Sequence, residues 1–469
     1  MFDFIYTWFD VETVKTILYY TEIFFIVYLV GYSTFLFVSV VVGSNELFEN
    51  IKRKRLRNEI HHDFYVPISI VVPAYNEEVT ICKTIESLLN LNYRLYEIII
   101  VSDGSTDQTA QRVIEQFELH EVQRPIRKQL ACQDKVAVYE GFHSQVKMTL
   151  VIKENGGKAD AINMGINVSQ FPYFVCMDAD SILERDSLEK IAVKVLESEN
   201  VIAVGSMISI SNDCKFKNGQ LIEQRLPRKL IPALQVLEYE RSFLASRILL
   251  DKFNANLIVS GAFGLFKKDA VIAVGGYQAG SIGEDMELIV KLHDYHISNG
   301  LTYYIKYAYE AVCWTQAPER LRDLLKQRKR WHIGLFQSLI SHRTLITKAS
   351  YIYYLVYELL SPFIELVGLF VTFLAVMFGL LNFEYMLIFF LTYALFGALL
   401  TVISYTTRNF LADVKISMKD VLKAFLLCVP ENVGMRFILA WTRIFSILFY
   451  RGKKTKWGKI KRVDIDYDK

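Results

Sequence analysis

Apolar and polar positions divide this chain into a mixed central part and two apolar flanks. Residues 23–43 form an apolar run without charge, long enough to cross a bilayer as a helix at about 1.5 Å per residue. Residues 67–315 contain no run of that kind. Two more apolar stretches follow, within residues 351–381 and residues 385–403, and a short turn at residues 382–384 separates them. The pattern therefore predicts one membrane-spanning helix before the central part and a spanning hairpin after it.

Basic residues set the predicted orientation of these helices. A cluster of lysines and arginines at residues 52–57 follows the first apolar run directly. Because cytoplasmic loops carry an excess of such residues, we expect the N-terminus outside and the central part in the cytosol. The run exceeds a signal-peptide core and no basic segment precedes it, so we interpret it as an uncleaved span of a plasma-membrane protein.

The last apolar region admits two interpretations. Residues 421–429 are too short to span, Pro430-Glu431-Asn432 is expected to break the helix, and residues 433–450 carry two arginines. Because a basic tail follows, we favour a re-entrant or interfacial hairpin over a shallow two-pass hairpin. The predicted division is a transmembrane helix (1–50), a cytosolic domain (51–315), interfacial amphipathic helices (316–348), a transmembrane hairpin (349–405) and a C-terminal segment with a basic tail (406–469).

Apolar runs alternate with helical patterns in the central part. Predicted buried strands cover residues 67–76, 96–103, 147–154 and 173–180, and predicted helices cover residues 78–90, 107–117 and 158–168. This alternation is typical of an α/β domain with a mostly parallel sheet covered on both faces. Ligands of such sheets bind at the carboxyl ends of the strands.

Polar clusters follow each of these four strands. They lie at residues 73–77, 103–107, 155–158 and 178–180. Alternate strand residues point the same way, so Asp178 and Asp180 can both face a hard cation such as Mg²⁺ or Mn²⁺. Lys158 opens a helix after two glycines, which suits a diphosphate. Asp103 is either an acceptor for a nucleobase N–H, with Tyr75 beside the base, or a turn residue.

Two later motifs add candidate chemistry. Glu284 and Asp285 begin a predicted helix, where a carboxylate either caps the helix or takes a proton from an acceptor hydroxyl. Gln327, Arg330 and Trp331 share one face of a predicted basic amphipathic helix, which also fits a membrane surface. Arg330 suits phosphate and the flat Trp331 ring suits a sugar.

Composition fits a membrane protein. Hydrophobic residues make up 52% of the chain and its mean hydropathy is +0.24, which is high for a soluble enzyme of this length. A net charge of +3 gives no reason to expect nucleic acid as a partner. The six cysteines show no C-x-x-C spacing, which favours reduced thiols facing the cytosol over disulfides or a zinc site.

A polar stripe is expected in the second predicted span. Glu358, Ser361, Pro362 and Glu365 follow helical spacing and would lie on one face. Carboxylates at that depth are costly unless they meet water, protein or a polar ligand. The stripe therefore makes hydrogen bonds between helices or lines a polar path through the bilayer.

The ordered motifs resemble those of the membrane-embedded processive glycosyltransferases of family 2, such as cellulose, hyaluronan, chitin, poly-N-acetylglucosamine and mixed-linkage glucan synthases. They are Asp103, the D-x-D at residues 178–180, Gly283-Glu284-Asp285 and Gln327-x-x-Arg330-Trp331, and the resemblance covers about residues 52–462. It implies a GT-A-type cytosolic domain inserted between membrane helices, a UDP-sugar donor, a nascent polysaccharide and Mg²⁺ or Mn²⁺. The resemblance leaves open whether the protein needs an accessory subunit.

The resemblance also implies roles for single residues. On the donor side, the uridine would contact Tyr75, Glu77 and Asp103, the diphosphate would contact Lys158, Gln327 and Arg330, and the metal would bind Asp180 with Asp178 beside it. On the acceptor side, Asp285 would be the general base, Glu284 would lie nearby, Trp331 would stack under the acceptor sugar, and Ser260, Gly261 and Phe263 would belong to the lining loop. The stretch at residues 431–462, with Trp457-Gly458-Lys459, also resembles the C-terminal ends of this group.

Two departures from the cellulose synthases bear on the product. Residues 406–419 lack their F-x-V-T-x-K gating pattern, and Gly283 stands where they have threonine. Few residues follow Arg462, so we expect no PilZ domain. The first expectation for the product is a β-glucan made from UDP-glucose, mixed-linkage forms included. Poly-N-acetylglucosamine, hyaluronan and a singly glycosylated lipid are the alternatives, and intact acidic motifs argue against a catalytically silent export subunit.

Overall fold

The structure is a computed structural model that describes residues 11–57, 65–217, 220–408 and 416–450. The basic tail and residues 457–459 lie outside the described residues. Twelve strands are present in this part of the chain: β1 (Ile68–Ala74), β2 (Tyr96–Asp103), β3 (His120–Glu121), β4 (Lys135–His143), β5 (Val146–Lys153), β6 (Tyr173–Met177), β7 (Ile182–Leu183), β8 (Val201–Ile210), β9 (Lys215–Lys217), β10 (Gln220–Glu223), β11 (Phe263–Lys267) and β12 (Tyr304–Thr315).

The helices cover the sheet and form a bundle of apolar helices. Their bounds are α1 (Val11–Arg57), α2 (Ile81–Leu89), α3 (Thr109–Gln116), α4 (Lys158–Val168), α5 (Ser187–Leu196), α6 (Leu230–Arg241), α7 (Arg247–Lys252), α8 (Lys268–Ala273), α9 (Glu284–Ser298), α10 (Leu321–Ser341), α11 (Ala349–Tyr353), α12 (Ser361–Met377), α13 (Phe383–Thr407), α14 (Met418–Pro430) and α15 (Arg436–Leu448). Three π-helical turns, Ser242–Ser246, Tyr354–Leu359 and Glu431–Met435, follow α6, α11 and α14.

A ten-stranded sheet in the order β3-β4-β5-β2-β1-β6-β11-β8-β12-β7 forms the centre of the domain. The four predicted strands correspond to β1, β2, β5 and β6, and all pairs among them are parallel, as expected. Every residue of β2 is buried, because helices cover both faces of the sheet. β6 ends at Met177, so Asp178-Ala179-Asp180 forms a turn beyond the sheet edge rather than the end of the strand.

The other half of the sheet is mixed and had no predicted counterpart. β11 pairs antiparallel with both β6 and β8, while β12 pairs parallel with β8. At the opposite edge, β4 and β5 form a hairpin whose turn residues Ser144 and Gln145 both have positive φ. The described sheet is therefore parallel in its centre and mixed on both sides.

Two helices of the described chain are long and apolar enough to cross a membrane, at Glu12–Asn50 and Phe383–Thr407. A third span exists if Ala349–Leu359 and Ser361–Met377 count as one, although they meet at a bend of 53°. The prediction that Glu358, Ser361 and Glu365 share one continuous helical face is therefore wrong. Pro362 lies in the first turn of α12 and has no N–H to donate to the preceding turn, so the helix bends there.

The predicted break at Pro430 is also wrong. Pro430 has helical φ and ψ of −64° and −24°, and the helix continues through the π-helical turn Glu431–Met435 into α15. Pro430 starts this wider turn, where Asn432 Nδ2 donates to the carbonyl of Cys428 at 2.9 Å. The helical path from α14 to α15 therefore contains no hairpin.

Both parts of that path contact residues that precede the predicted transmembrane hairpin. Lys423 Nζ donates to the carbonyl of Pro227 at 2.7 Å, and Gln337 Nε2 donates to the Tyr450 hydroxyl at 2.5 Å. The placement of this helical path relative to a bilayer stays a prediction.

Candidate active site

The loops after β1 and β2 are joined by side-chain hydrogen bonds. Asn76 has a φ of +55°, and its Oδ1 accepts from the backbone N–H of Thr106 at 2.8 Å. The Glu77 N–H donates to Thr109 Oγ1 at 2.8 Å, while the Glu77 carboxylate accepts from the Thr80 hydroxyl at 2.8 Å. Tyr75 remains 44% exposed at the rim. The predicted uridine residues Tyr75 and Glu77 therefore lie at the carboxyl edge of the sheet.

Asp103 is buried and holds the turn that carries Lys158. Its two carboxylate oxygens accept from the N–H groups of Gly156 and Gly157 at 3.0 and 2.7 Å, and Lys153 Nζ lies 2.5 Å from Oδ1. A carboxylate offers about four acceptor positions, so these three donors leave about one for a nucleobase. The structure thus gives Asp103 a positioning role, and its contact with a base stays a prediction.

Lys158 joins two acidic groups from different parts of the chain. Its Nζ lies 2.6 Å from Asp178 Oδ1 and 3.4 Å from Glu284 Oε1. Burial disfavours the charged ammonium, but the nearby carboxylates outweigh burial and hold the pKa of Lys158 above its ordinary value. Lys158 therefore stays charged at neutral pH and brings the D-x-D turn and the start of α9 together.

The predicted metal ligands Asp178 and Asp180 lie in the turn after β6. In the described ranges, no group of three histidine, cysteine or acidic side chains is placed to hold a metal ion. Two partly exposed carboxylates fit a Mg²⁺ or Mn²⁺ ion whose other ligands are phosphate oxygens and water. The residues present therefore fit a cation that arrives with a phosphorylated substrate.

Asp285 is oriented by backbone donors on both oxygens. Oδ2 accepts from the Gly261 N–H at 3.1 Å, and Oδ1 accepts from the Met286 N–H at 2.9 Å. A Cβ at Gly261 would lie 3.1 Å from Lys158 Nζ and 3.4 Å from the Asp285 Cβ, so only glycine fits without displacement. Burial raises the pKa of the neighbouring Glu284, against the opposing effect of Lys158.

The loop at residues 260–264 contacts the site through Gly261. Ser260 Oγ accepts from the Ala262 N–H at 3.3 Å, and Gly261 contacts Asp285 as described. Phe263 is fully buried at the start of β11, inside the main hydrophobic core. The prediction that Phe263 binds the acceptor is wrong, because the aromatic side chain supports the sheet from below the loop.

Helix α10 places the Gln327-x-x-Arg330-Trp331 motif beside the acidic pair. Arg330 is close enough to Glu284 to act on it electrostatically. The buried Oε1 of Gln327 has no hydrogen-bond partner within the described chain, and a contact between Gln327 and the donor stays a prediction. The indole of Trp331 is 40% exposed. The structure therefore assembles the candidate donor and acceptor residues in one region.

Three residues that the sequence analysis did not single out contribute to this arrangement. Gly334 lets α10 approach the start of α9, because a Cβ there would lie 2.8 Å from the Gly283 Cα. Arg328 lies under the Trp331 ring and pairs with Glu238. A lone glycine inside a helical pattern was the available signal for Gly334, whereas no local pattern indicates the partner of Arg328.

The residues of the predicted polar stripe make two separate sets of contacts. Glu365 of α12 forms a two-point ion pair with Arg436 of α15, with oxygen–nitrogen distances of 2.8 and 2.5 Å. This contact agrees with the first of the two predictions for the stripe, hydrogen bonds between helices. Glu358 accepts from the Tyr353 hydroxyl at 3.4 Å and lies within electrostatic reach of Arg443. Ser361 Oγ donates to the Glu358 carbonyl at 3.5 Å. A role for Glu358 and Ser361 in a path through the bilayer stays a prediction.

The sheet, the acidic turn after β6 and the acidic start of α9 define a GT-A-type glycosyltransferase domain, as the sequence indicated. The family model described as glycosyltransferase like family 2 matches residues 66–334, more than half of the chain. The protein therefore belongs to this family.

Similar proteins include two curated synthases. The poly-beta-1,6-N-acetyl-D-glucosamine synthase of Staphylococcus aureus (strain COL) is 29% identical over 339 residues, which is 71% of this chain and 71% of the relative. The synthase of the same name from Staphylococcus epidermidis is 27% identical over 366 residues, 76% of this chain and 78% of the relative. A solved mannosyltransferase from Pyrobaculum calidifontis, in complex with GDP-Man and Mn²⁺, is 16% identical at a TM-score of 0.45, covering 86% of this chain and 99% of that one.

Proposed function

We propose that this protein is a processive, inverting, metal-dependent glycosyltransferase that builds a β-linked polysaccharide from a UDP-sugar and passes it across the plasma membrane. The observation that carries the proposal is the bridge from Lys158 to both Asp178 and Glu284, next to Asp285. The bridge supports the proposal, because a direct transfer between two bound sugars requires a cationic donor site and an acidic acceptor site side by side.

We place UDP-N-acetylglucosamine first as the donor and a poly-β-1,6-N-acetylglucosamine as the product. The similar synthases from both staphylococci carry that name, and they support this alternative over the β-glucan that the motifs first suggested. UDP-glucose is the second donor to test, and UDP-glucuronate together with UDP-N-acetylglucosamine tests the hyaluronan alternative.

In the proposed reaction, the acceptor hydroxyl binds beside Asp285. Asp285 takes the hydroxyl proton while the oxygen attacks the anomeric carbon of the donor from the face opposite the diphosphate. The bond from that carbon to the diphosphate oxygen breaks, its electrons leave with UDP, and the configuration inverts. Lys158 and Arg330 stabilise the negative charge that develops on the leaving group, a contribution often worth several kcal/mol.

Other residues hold the two substrates. Gly261 and Met286 N–H groups keep the Asp285 oxygens in place, so the base is oriented before the acceptor arrives. Asp178 and Asp180 would hold the cation, which supplies further charge compensation on the diphosphate when bound. Trp331 would stack under the acceptor sugar, and Tyr75 and Glu77 would contact the uridine.

The test supplies each radiolabelled UDP-sugar separately, and the hyaluronan pair together, to membranes that contain the full chain. We expect a high-molecular-weight product from UDP-N-acetylglucosamine that a β-1,6-specific N-acetylglucosaminidase degrades. A polymer from UDP-glucose that a β-glucanase degrades would replace the proposed donor and keep the processive mechanism. Only a disaccharide or a monoglycosyl lipid, with every donor, would overturn the processive mechanism.

A further inference from the structure

The last turn of α6 links the tryptophan of the acceptor site to the membrane helices. Glu238 pairs with Arg328 of α10, and the ring of the next residue, Tyr239, lies 6.5 Å from the Trp331 ring between centroids. The following residues contact the membrane side: Glu240 pairs with Arg408, and Arg241 bonds with Thr401 and Glu431. Consecutive residues of one helical turn therefore contact both the candidate acceptor site and the apolar bundle.

Arg328 supports the Trp331 ring directly. The two residues lie three positions apart on α10, and the Arg328 Cζ lies 4.4 Å from the centroid of the indole. A planar guanidinium at this distance is attracted to an aromatic face and also stacks on it. Because Trp331 remains 40% exposed, part of its surface is open to a sugar. Arg328 thus occupies a different part of the ring surface from the one that a substrate would use.

Glu238 fixes the position of Arg328. Arg328 is 4% exposed, and its Nη2 lies 2.7 Å from Glu238 Oε2. The buried Nε of Arg328 has no hydrogen-bond partner in the part of the chain that the structure describes. The ion pair with Glu238 and the contact with the Trp331 ring therefore hold the guanidinium of Arg328 together. Because both contacts share this guanidinium, a change in the ion pair also shifts the ring.

We propose that Glu238 and Arg328 are positioning residues that fix the plane of the Trp331 ring and so set the length of the polymer. This inference rests on the proposed function, in which Trp331 holds the acceptor sugar between additions. A loosened ring releases the growing chain earlier, so the polymer becomes shorter. Tyr75, Lys158 and Asp180 of the proposed donor site lie on other elements, and α10 keeps Gln327 and Arg330 in place, so we expect donor binding to stay the same.

The experiment compares Arg328→Lys, Glu238→Gln and Trp331→Ala with wild type in detergent-purified full-length protein. Lysine keeps the charge that pairs with Glu238 but removes the planar surface. Lys329→Gln, which changes the exposed neighbouring cation on α10, is the control. The readouts are polymer length, the donor KM, and kcat/KM for an added oligosaccharide of the same sugar.

For Arg328→Lys we expect shorter polymer and a fall of roughly three- to tenfold in kcat/KM for the oligosaccharide, because an ammonium cannot stack on the indole as the planar guanidinium does. The donor KM should change by less than about twofold, because binding of the donor does not involve the ring. Glu238→Gln should give the same pattern in weaker form, since the amide oxygen still accepts from Arg328. Lys329→Gln should match wild type.

The outcomes separate the inference from the proposed function. Shorter polymer from Trp331→Ala with unchanged polymer from Arg328→Lys and Glu238→Gln would overturn the inference alone. Unchanged polymer from Trp331→Ala would overturn the acceptor role on which the inference rests. A lower melting temperature, a higher donor KM and a shorter polymer, all in both Arg328→Lys and Glu238→Gln, would show that the pair has only a structural role. That result would also overturn the inference.

Discussion

Gly283 and Gly334 lie back to back, where the start of α9 meets the middle of α10. A Cβ at Gly334 would come within 2.8 Å of the Gly283 Cα, and one at Gly283 would lie 3.0 Å from the Gly334 Cα. Real Cβ atoms essentially never come this close to backbone, so only glycine at both positions permits the contact. The acidic pair and the Trp331 motif therefore share a site because two glycines let their helices touch.

Substitution Gly334→Ala should separate these two helices. The added methyl group has to push α10 away from α9, and displacements near 1 Å at a catalytic centre cost on the order of a hundredfold in rate. We expect polymer synthesis by the purified full-length protein to fall by about that factor, with its secondary structure by circular dichroism unchanged.

Gly397→Ala is the matched control for this experiment. Gly397 also lies in a helix, α13, and a Cβ there meets nothing within 4 Å. Alanine favours a helix over glycine by about 1 kcal/mol, so this variant should retain full activity. Equal activity of Gly334→Ala and Gly397→Ala would show that the close approach is not required.

Asp285→Asn should abolish transfer and preserve donor binding. The amide cannot take the acceptor proton, and loss of a general base typically lowers the rate by about 10² to 10⁴-fold. UDP binding, measured by calorimetry, should match wild type. The control is Asp269→Asn, an exposed carboxylate in the first turn of α8. Polymer yield from Asp285→Asn equal to that of the control would remove Asp285 from the mechanism.

Divalent cations should be required for UDP binding as well as for transfer. We expect EDTA to weaken the binding of UDP, and added Mg²⁺ or Mn²⁺ to restore it, because the cation links the diphosphate to Asp178 and Asp180. Asp180→Asn should raise the cation concentration needed for half-maximal UDP binding by roughly tenfold, as expected for one lost charged ligand. Glu121→Gln, at the exposed sheet edge, should not change it. Metal-independent UDP binding by wild type would contradict the assignment.

The Glu365–Arg436 pair should contribute more to stability than to transfer. Glu365→Ala leaves the partly buried Arg436 charge without its carboxylate, at a cost of up to the roughly 3 to 5 kcal/mol of a fully buried pair. We expect a lower melting temperature in detergent, with the donor KM unchanged. The double variant Glu365→Leu with Arg436→Met removes both charges and should recover much of the loss. A normal melting temperature combined with blocked export of polymer would instead place Glu365 in the path of the chain.

Acid should destabilise the catalytic domain through His293. Burial disfavours its charged form and lowers its pKa to about 4, with Nε2 donating to the Asn256 carbonyl at 3.0 Å. The unfolded chain binds this proton first, so stability falls as the pH drops from about 6.5 to about 4, by about 2 kcal/mol at pH 5. The drop in melting temperature between pH 7 and pH 5 should shrink in His293→Gln and persist in His120→Gln, which changes an exposed histidine. Equal pH dependence in both variants would exclude this cause.

The sequence predicted the parallel centre of the sheet well and its flanks not at all. The run Tyr96–Asp103 is apolar enough to be buried on both faces, and local periodicity identifies such a strand. β11 is short and antiparallel, and its place between β6 and β8 depends on partners far away in the chain. For that reason the sequence did not reveal that Phe263 begins a buried strand.

Local rules also failed where packing overrode them. Pro430 ordinarily marks the end of a helix, but the π-helical turn after it continues the path into α15. Pro362 does mark a bend, and that bend separates Glu358 from the face that carries Glu365. Proline chemistry therefore accounts for the bend at Pro362 but does not predict the continuous helix at Pro430.

By itself, the sequence determined which reactive side chains the protein has, on which elements they lie, and to which family it belongs, because these follow from residue type and short-range period. Only the tertiary structure decided which groups meet: Lys158 with Asp178 and Glu284, and Arg328 with Glu238 and Trp331. Such partners are remote in the chain, and their distances depend on close packing between elements, as at Gly283 and Gly334.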